Sequence, residues 1–266
     1  MTTLLEKAQS ALEIVRPWRE KYGLGGVPLG LAFRRLKWAA PQGEIVGLTV
    51  PGYPNRLYGR ARTADWEVFD QHFLREELAG MLPPSARLII DAGANVGYTA
   101  AYFLRKYPGA KVICLEVHDG NLALLRRNTA GLAGVEVMGT GLWSHTARLA
   151  IVDPDAKYHA FSVAERADGP IPAVGIAELL DAHGADEVDI VKIDIEGAEY
   201  EVFTHGVERW LPRARVVLAE PHDRFRAGCS EAILAAAQRF GFSVSEAGEY
   251  LVLTRPDAAQ PGRSVA

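Results

Sequence analysis

The amino-acid sequence predicts an α/β fold: a doubly wound, mostly parallel Rossmann-like sheet of about seven strands. From residue 84 onward, short apolar runs alternate with segments of helical period, and this alternation is typical of βαβ units. The last two apolar runs, at 243–248 and 249–256, are joined by a turn without a helix, which indicates an antiparallel hairpin at one edge. A glycine-rich turn, DAGANVG, follows the first strand of the alternating region and precedes its helix.

The first part of the chain, residues 1–83, is predicted to be an extension that covers the active site. Its first 22 residues carry apolar side chains at helical spacing from Thr3 onward, so we expect an amphipathic helix. Two short strands are predicted within 44–61, around turns that contain Pro-Gly and Pro-Asn. Asp65 is then predicted to be the N-cap of a helix through 66–82.

Residues 84–256 are predicted to form the main domain, and 257–266 a flexible tail. Its parallel strands are expected at 87–93, 111–117, 135–143, 189–197 and 215–222. Its helices are expected at 96–107, 121–132, 176–184, 199–211 and 230–242. Residues 149–165 interrupt the alternation and are predicted to form a hairpin or an acceptor-binding loop.

Composition narrows the class of protein. The chain has 266 residues and a formal net charge of -4, which argues against nucleic acid as a partner because nucleic-acid binding needs a strongly positive surface. The two cysteines, Cys114 and Cys229, are far apart and fit neither a disulfide framework nor a zinc site. Neither a signal-peptide pattern nor an apolar run of about 20 residues is found, so we expect a cytoplasmic protein without a membrane partner.

The glycine-rich turn predicts a cofactor site. Gly93 permits a backbone turn with positive φ, and Gly97 permits close packing of the helix on the sheet. A leading Asp91 suits a ligand with a cationic amino group better than the pyrophosphate of a dinucleotide, and Asn95 stands where dinucleotide loops have small residues. We therefore predict S-adenosylmethionine as the cofactor, bound also by the backbone at Val96.

The ends of the next two strands complete the predicted cofactor site. Glu116 lies where an acidic residue accepts hydrogen bonds from ribose hydroxyls. Val117, with Gly141, Leu142 and Trp143 after the third strand, is expected to flank the adenine ring. For Trp143 a second interpretation stays open, in which its side chain belongs to the core or to the wall of the acceptor pocket.

Four segments of the chain resemble the FkbM family of S-adenosylmethionine-dependent methyltransferases: RTADWEVFDQHF, DAGANVGYTA, DIVKIDIEGAEYEVF and VVLAEPH. The resemblance spans roughly residues 58–256, and the segment VKIDIEGAE is its most specific part. It implies O-methylation of a sugar, a polyketide or another natural product, and it implies that Asp65 and Gln71 approach the cofactor. The chain departs from the family pattern at GLWSH, residues 141–145, which puts the adenine contacts there in doubt.

Polar groups at two strand ends are the candidate catalytic residues. Asp194 and Glu196 follow one strand, Glu220 and His222 follow the next, and adjacent parallel strands place them at one edge of the sheet. Asp194 is also a candidate cofactor ligand, whereas Glu199 is expected to face solvent. Methyl transfer to a hydroxyl requires removal of a proton.

Two mechanisms can remove that proton. In the first, which we favour, His222 is the general base. In the second, Asp194, Glu220 and His222 hold Mg²⁺ or another divalent cation that binds the acceptor oxygen, as in catechol-type O-methyltransferases. Direct roles for His145, Tyr158 and His159 in the acceptor loop are a weaker hypothesis.

Three rival functions remain. A nicotinamide-dependent oxidoreductase would use the same fold, but its GxGxxG pattern lacks the third glycine here. A catalytically inactive S-adenosylmethionine-binding partner would be expected to have lost the polar strand ends. A nucleic-acid methyltransferase is disfavoured by the charge and by the absence of an Asn/Asp-Pro-Pro-aromatic tetrapeptide. The partner that we expect is a small-molecule hydroxyl acceptor of unknown identity, and the apolar face of the N-terminal helix is a candidate homodimer contact.

Overall fold

The computed structural model describes residues 4–151 and 163–256, and side chains within 12–150 and 164–256. These residues form two compact units that do not follow chain order. The first comprises the chain up to Ala79 together with Asn95–Lys106 and Gly120–Ala133. The second comprises Gly80–Ala94, Tyr107–Asp119 and the chain from Gly134 onward.

The first unit is mainly helical. Its elements are α1 (Leu4–Tyr22), α2 (Gly26–Arg34), the antiparallel pair β1 (Ile45–Leu48) and β2 (Leu57–Arg60), α3 (Asp65–Asp70), α4 (Tyr98–Lys106) and α5, which begins at the boundary of the unit (Asp119–Thr129). Its core is aromatic, because the ring of Trp18 contacts those of Phe33 and Phe69, and Phe69 contacts Phe73 and Tyr98. All five rings are buried. Removal of such large apolar surfaces from water is the main stabilising contribution in this unit.

A buried asparagine joins three segments of the first unit. The side-chain amide of Asn128 donates to the carbonyl oxygens of Tyr58 and Val96 at 2.9 and 2.7 Å. Its Oδ1 accepts the N–H of Tyr58 at 2.7 Å, and the residue is fully buried. Buried polar groups cost free energy unless they are paired. These hydrogen bonds pair both the buried amide of Asn128 and the backbone groups that it contacts.

Two predictions for the first unit are wrong. Asp65 is the first residue of α3 and not its N-cap, because its carboxylate accepts the N–H and the guanidinium of Arg60 instead of a helix N–H. The helix predicted through 66–82 is shorter: α3 ends at Asp70, a π-helical turn spans Gln71–Arg75, and Glu76 then has φ 49°. A left-handed residue cannot continue a right-handed helix, so the chain turns there.

The second unit contains eleven strands among its described residues. They are β3 (Leu88–Ala92), β4 (Lys111–Leu115), β5 (Val135–Met138), β6 (Gly141–Leu142), β7 (Ala147–Ile151), β8 (Val163–Glu165), β9 (Ile171–Val174), β10 (Val188–Ile193), β11 (Ala214–Ala219), β12 (Ser243–Ala247) and β13 (Tyr250–Thr254). Its helices are α6 (Ile176–Ala182), α7 (Glu199–Thr204) and α8 (Cys229–Arg239).

Seven of these strands form the predicted sheet, in the order β12-β13-β11-β10-β3-β4-β5. The five from β11 to β5 are parallel, and β12 and β13 form the predicted antiparallel hairpin at one edge. All six residues of β10 are buried, as expected of a central parallel strand. Side chains of α6, α7 and α8, including Leu180, Phe203 and Ile233, pack on the sheet and form its core, and each contributes about 1.5–3 kcal/mol by its burial.

The prediction of a single strand over 135–143 is wrong. β5 ends at Met138, and Gly141–Leu142 forms β6, which belongs to a separate four-stranded sheet of order β6-β9-β7-β8. In that sheet β7 and β8 pair antiparallel, which agrees with the hairpin interpretation of 149–165. The connection between them, including Tyr158 and His159, lies outside the described residues, as does the predicted tail.

The strand order places a reversal between β3 and β10. The chain runs from β3 outward through β4 to β5, and later returns to the other side of β3 as β10. The register pairs Ile193 with Ala92 on one side and with Ala219 on the other, so β3, β10 and β11 end at the same level. In open α/β sheets, ligands bind beyond the carboxyl ends of the strands at such a reversal.

Candidate active site

The glycine turn after β3 is held tightly against the end of β10. The N–H groups of Gly93 and Ala94 both donate to the carbonyl of Leu115 at 3.0 Å. Gly93 has φ 76°, and a Cβ atom there would lie 1.8 Å from the carbonyl oxygen of Asp194. Only glycine therefore allows the end of β3 and the end of β10 to approach this closely.

The other turn residues belong to the first unit. Asn95 has φ 49°, a left-handed conformation that asparagine tolerates better than most residues. Gly97 has φ 86°, and a Cβ atom there would lie 2.6 Å from the side chain of Leu125 in α5. The backbone of Val96 accepts the amide of Asn128. The close approach of Gly97 to Leu125 agrees with the prediction that this glycine permits tight packing of a helix.

Asp91, the last residue but one of β3, is a buried carboxylate without a hydrogen-bond partner among the described residues. Its side chain is fully buried, and both of its oxygens lack a donor. The nearest cation is the Nζ of Lys192, at 3.6 Å from Oδ1. Burial, only partly offset by the charge of Lys192, raises the pKa of Asp91 to about 6. A ligand with N–H donors would satisfy an acid in this position.

Sequence reasoning missed Lys192, which is buried in the middle of the sheet. Its ammonium donates to the carbonyl of Gly93 at 3.0 Å and to Oδ2 of Asp194 at 3.1 Å. Burial opposes the charge of Lys192, but Asp194 and Asp91 outweigh it, so the pKa of this lysine is raised well above its ordinary value. The signal was present in the sequence, because a lysine inside an apolar parallel strand is buried only when it is paired.

Glu116 follows β4 and is held in place by its own backbone. Its Oε1 accepts the N–H groups of Val117 and His118 at 2.8 and 2.7 Å, and the side chain is 8% exposed. Val117 is about half exposed, and a Cβ atom on Gly141 would lie 3.4 Å from its side chain. The segments predicted to flank the adenine ring therefore lie side by side.

Leu142 and Trp143 are buried. Trp143 packs with Leu149, Ala173 and Ala198 in a small apolar core beneath the second sheet. Of the two interpretations of Trp143, the structure favours the core.

His222 lies at the centre of the predicted catalytic cluster. Its Nε2 is 3.4 Å from Glu220, 3.8 Å from Asp194 and 3.9 Å from Glu196, and the ring is buried. Ligand atoms of Asp194, Glu220 and His222 lie within 4.8 Å of one another. The structure thus brings together all four residues that the sequence predicted to be catalytic.

The expectation that Glu199 faces solvent is wrong. Its side chain is fully buried, and Oε1 lies 2.8 Å from Nδ1 of His222. The N–H groups of Ile195 and Gly197 donate to the two carboxylate oxygens at 3.0 and 2.8 Å. The short turn after β10 folds over this carboxylate because its own N–H groups need an acceptor at the start of α7.

The electrostatics of the cluster keep His222 charged. Burial opposes its charge, but contacts with Glu199 and Glu220 and the charge of Asp194 outweigh this effect and raise the pKa of His222 to about 10. Partial desolvation and the charges of Asp194 and Glu220 also raise the pKa of Glu196, whose side chain is mostly exposed and whose backbone has φ 56°. At neutral pH an imidazolium in this state has no free lone pair, so His222 cannot serve as the general base unless its proton is displaced.

The remaining predicted residues are described by their own local contacts. Asp65 is buried in the first unit, paired with Arg60, and Gln71 begins the π-helical turn. His145 lies 3.3 Å from Glu165 in an exposed ion pair of the second unit.

The Rossmann-like sheet, its glycine turn, the acid after β4 and the polar cluster after β10 and β11 are compatible with a methyltransferase, and comparison with known families identifies that class. The methyltransferase FkbM domain matches residues 91–244, more than half of the chain, and the chain belongs to this family. The family identified from four sequence segments is thereby confirmed.

Several relatives of the chain are named methyltransferases. The chain is 28% identical over 215 residues to methyltransferase sdnD of Sordaria araneosa, covering 67% of this chain and 81% of that protein. It is 26% identical over 171 residues to 2-O-methyltransferase NoeI of Sinorhizobium fredii, covering 57% and 70%. A solved FkbM methyltransferase from Methylobacillus flagellatus is 17% identical, with a TM-score of 0.48, over 72% of this chain and about half of that one, 54%. In the described part of the chain, no helix is long and apolar enough to cross a membrane.

Proposed function

We propose that this protein transfers a methyl group from S-adenosylmethionine to a hydroxyl group of a small molecule. The observation that carries the proposal is the pair of acids at adjacent strand ends. Asp91 has two buried oxygens that need donors, and the carboxylate of Glu116 is fixed at the end of the next strand. A ligand that fits this pair presents an ammonium group to one acid and hydroxyl donors to the other.

The chain's residues supply binding and orientation for such a reaction. S-adenosylmethionine, when bound, would supply an activated methyl group on its sulfonium for transfer to an acceptor oxygen, with S-adenosylhomocysteine as the leaving group. Gly93 and Lys192 fix the turn beside the end of β10, where Asp194, Glu220 and His222 converge. In this proposal the acceptor oxygen binds beside these groups, and its proton leaves toward them. The relative NoeI is named a 2-O-methyltransferase, which supports a hydroxyl as the acceptor.

Titration calorimetry of the purified chain with S-adenosylhomocysteine tests the cofactor. We expect Glu116→Gln to weaken binding about 10- to 100-fold, because hydrogen bonds to a charged group are worth about 1.5–3 kcal/mol and 1.4 kcal/mol is tenfold. Glu246→Gln, at an exposed position in β12, is the matched control and should bind like the wild type. Binding of NADH instead, or of neither ligand, would refute the proposal.

A hydroxyl acceptor is tested separately from the cofactor. Reaction mixtures with isotope-labelled S-adenosylmethionine and a panel of sugars, hydroxylated polyketides and amines are analysed by mass spectrometry. Label in an acid-stable methyl ether supports O-methylation. Label on nitrogen or carbon, with none on oxygen across the panel, would contradict it while leaving the methyltransferase class intact.

A further inference from the structure

We propose that Asp194, Glu220 and His222 bind one divalent transition-metal ion, and that the buried carboxylate of Glu199 orients His222 toward it. The inference deepens the proposed function, on which its catalytic meaning rests. As a binding site, it can be tested without any turnover.

The first step of the argument is the orientation of the imidazole. Nδ1 of His222 lies 2.8 Å from Glu199, whose carboxylate also accepts two backbone N–H groups. A carboxylate in that setting stays an acceptor, so Nδ1 must carry the proton that it donates. A metal ion that displaces the proton from Nε2 then meets a lone pair there. This carboxylate–histidine pair is the arrangement that orients histidine ligands in metal sites.

The second step is what Nε2 faces. The ring is only 3% exposed, and its nearest partners are carboxylate oxygens of Glu220, Asp194 and Glu196 at 3.4–3.9 Å. These separations exceed the roughly 2.7–3.2 Å of a hydrogen bond. Two ligand atoms that share an ion at about 2.0–2.2 Å lie roughly 3.0–3.6 Å apart. Glu220, at 3.4 Å from Nε2, lies within this range and Asp194, at 3.8 Å, lies just outside it, so a small shift of Asp194 would let Nε2 and the two carboxylates share a cation.

The third step is charge. Three carboxylates face Nε2 and a fourth, Glu199, contacts Nδ1; among the described residues, the cations in contact with these four are His222 itself and Lys192, at 3.1 Å from Asp194. Lys192 also donates to Gly93 and lies near Asp91, so its charge is shared. The positive charge of Arg224, in the loop after β11, partly offsets the negative charge of Glu196. The cluster therefore keeps a net negative charge, which a divalent ion would neutralise.

The donor set also selects among ions. Mg²⁺ prefers oxygen ligands and keeps several waters, whereas an imidazole with carboxylates suits Mn²⁺, Fe²⁺ or Zn²⁺. Of the divalent cations that the sequence left open, we therefore expect a transition-metal ion and not Mg²⁺. Such an ion, when bound, would lower the pKa of a hydroxyl that contacts it, so the reaction would not require His222 as a free base.

The test is direct binding of Mn²⁺ to the full chain after treatment with chelator and dialysis. Electron paramagnetic resonance of free Mn²⁺ should show one site per chain. Glu220→Gln should weaken the site at least tenfold, and Glu231→Gln, at an exposed position in α8, should leave it unchanged. Asp194→Asn is a second ligand variant. Circular dichroism shows whether each variant is folded.

The role of Glu199 has its own readout. Glu199→Gln should lower Mn²⁺ affinity about 10- to 100-fold, as is typical when the outer partner of a histidine ligand is lost. Affinity for S-adenosylhomocysteine should change less than twofold in the same variant. A purely structural role would weaken both ligands together or unfold the chain, and either result overturns the positioning role.

Failure of this inference differs from failure of the proposed function. If neither Mn²⁺ nor Zn²⁺ binds to folded wild-type protein, or if binding is the same in Glu220→Gln, the metal site is refuted. Affinity for S-adenosylhomocysteine, measured without metal, then decides the cofactor independently. If the wild-type protein binds Mn²⁺ but not S-adenosylhomocysteine, the proposed methyl transfer is refuted and the metal site is retained.

Discussion

Replacement of Gly93 by alanine separates the two reasons for a glycine at the end of β3. One reason is the positive φ of 76°, and the other is the carbonyl oxygen of Asp194, 1.8 Å from where a Cβ would lie. A left-handed conformation costs an alanine about 1–2 kcal/mol. Contact with backbone costs more, because neither strand end can move without loss of its hydrogen bonds to Leu115 and Ala92.

Gly109→Ala is the matched control. Gly109 belongs to the same unit and has φ 90°, but no atom lies within 4 Å of its hypothetical Cβ. We therefore expect Gly109→Ala to lose about 1–2 kcal/mol from the free energy of unfolding. Gly93→Ala should lose about 1–3 kcal/mol more, the usual range for overpacking.

Urea unfolding followed by circular dichroism measures both variants, and calorimetry measures their affinity for S-adenosylhomocysteine. Gly93→Ala should also lose at least tenfold in that affinity, whereas Gly109→Ala should lose none. Equal destabilisation of the two variants, within about 0.5 kcal/mol, would show that the close approach at Gly93 has no energetic weight.

Three further substitutions test buried polar groups. The pKa of Asp91 is raised to about 6 in the folded protein, so ionisation of this group destabilises the wild type as the pH rises from about 4 to 6. Asp91→Asn cannot ionise, and its stability relative to the wild type should therefore increase by roughly 2–3 kcal/mol over that range. An equal stability difference between the two proteins at about pH 4 and about pH 7 in unfolding experiments would contradict this. Asn128→Asp replaces a donor to two carbonyls by a carboxylate and should cost more than about 3 kcal/mol, while Asn55→Asp, with one exposed bond to a carbonyl, should cost less than about 1 in the same urea titration. At pH 7 the carboxylate of Asp189 accepts two backbone N–H groups and the guanidinium of Arg215, so Asp189→Asn should cost about 2 kcal/mol of stability. Despite burial, these bonds hold the pKa of Asp189 below its usual range, and the cost should therefore disappear only as the pH falls below about 4. A cost that persists at about pH 2 would refute this explanation.

The sequence predicted the sheet because its signals are local. Apolar runs ended by Asp91, Glu116, Asp194 and Glu220 mark strand ends, and parallel pairing then brings those residues to one edge. The cluster around His222 follows from this logic, without any knowledge of loop conformation.

The missed features depend on contacts between distant residues. Glu199 is buried because two N–H groups of its own turn and His222, 23 residues later, need its oxygens. Asp65 lost its predicted cap role to Arg60, which competes for the same carboxylate. The strand predicted over 135–143 divides because β6 pairs with β9, thirty residues away in the chain. No periodicity in a short window encodes such partners.

The side chain of Lys192 connects the glycine turn to the polar cluster, since one ammonium group contacts Gly93 and Asp194. Charge added at Asp194 must therefore alter how firmly that ammonium holds the turn. A ligand beside Gly93 and a second ligand beside Asp194 would therefore be thermodynamically linked through the ammonium group of Lys192. Linkage is reciprocal, so the factor by which Mn²⁺ changes the affinity for S-adenosylhomocysteine must equal the factor by which S-adenosylhomocysteine changes the affinity for Mn²⁺. Replacement of Lys192 by methionine should reduce that shared factor toward one.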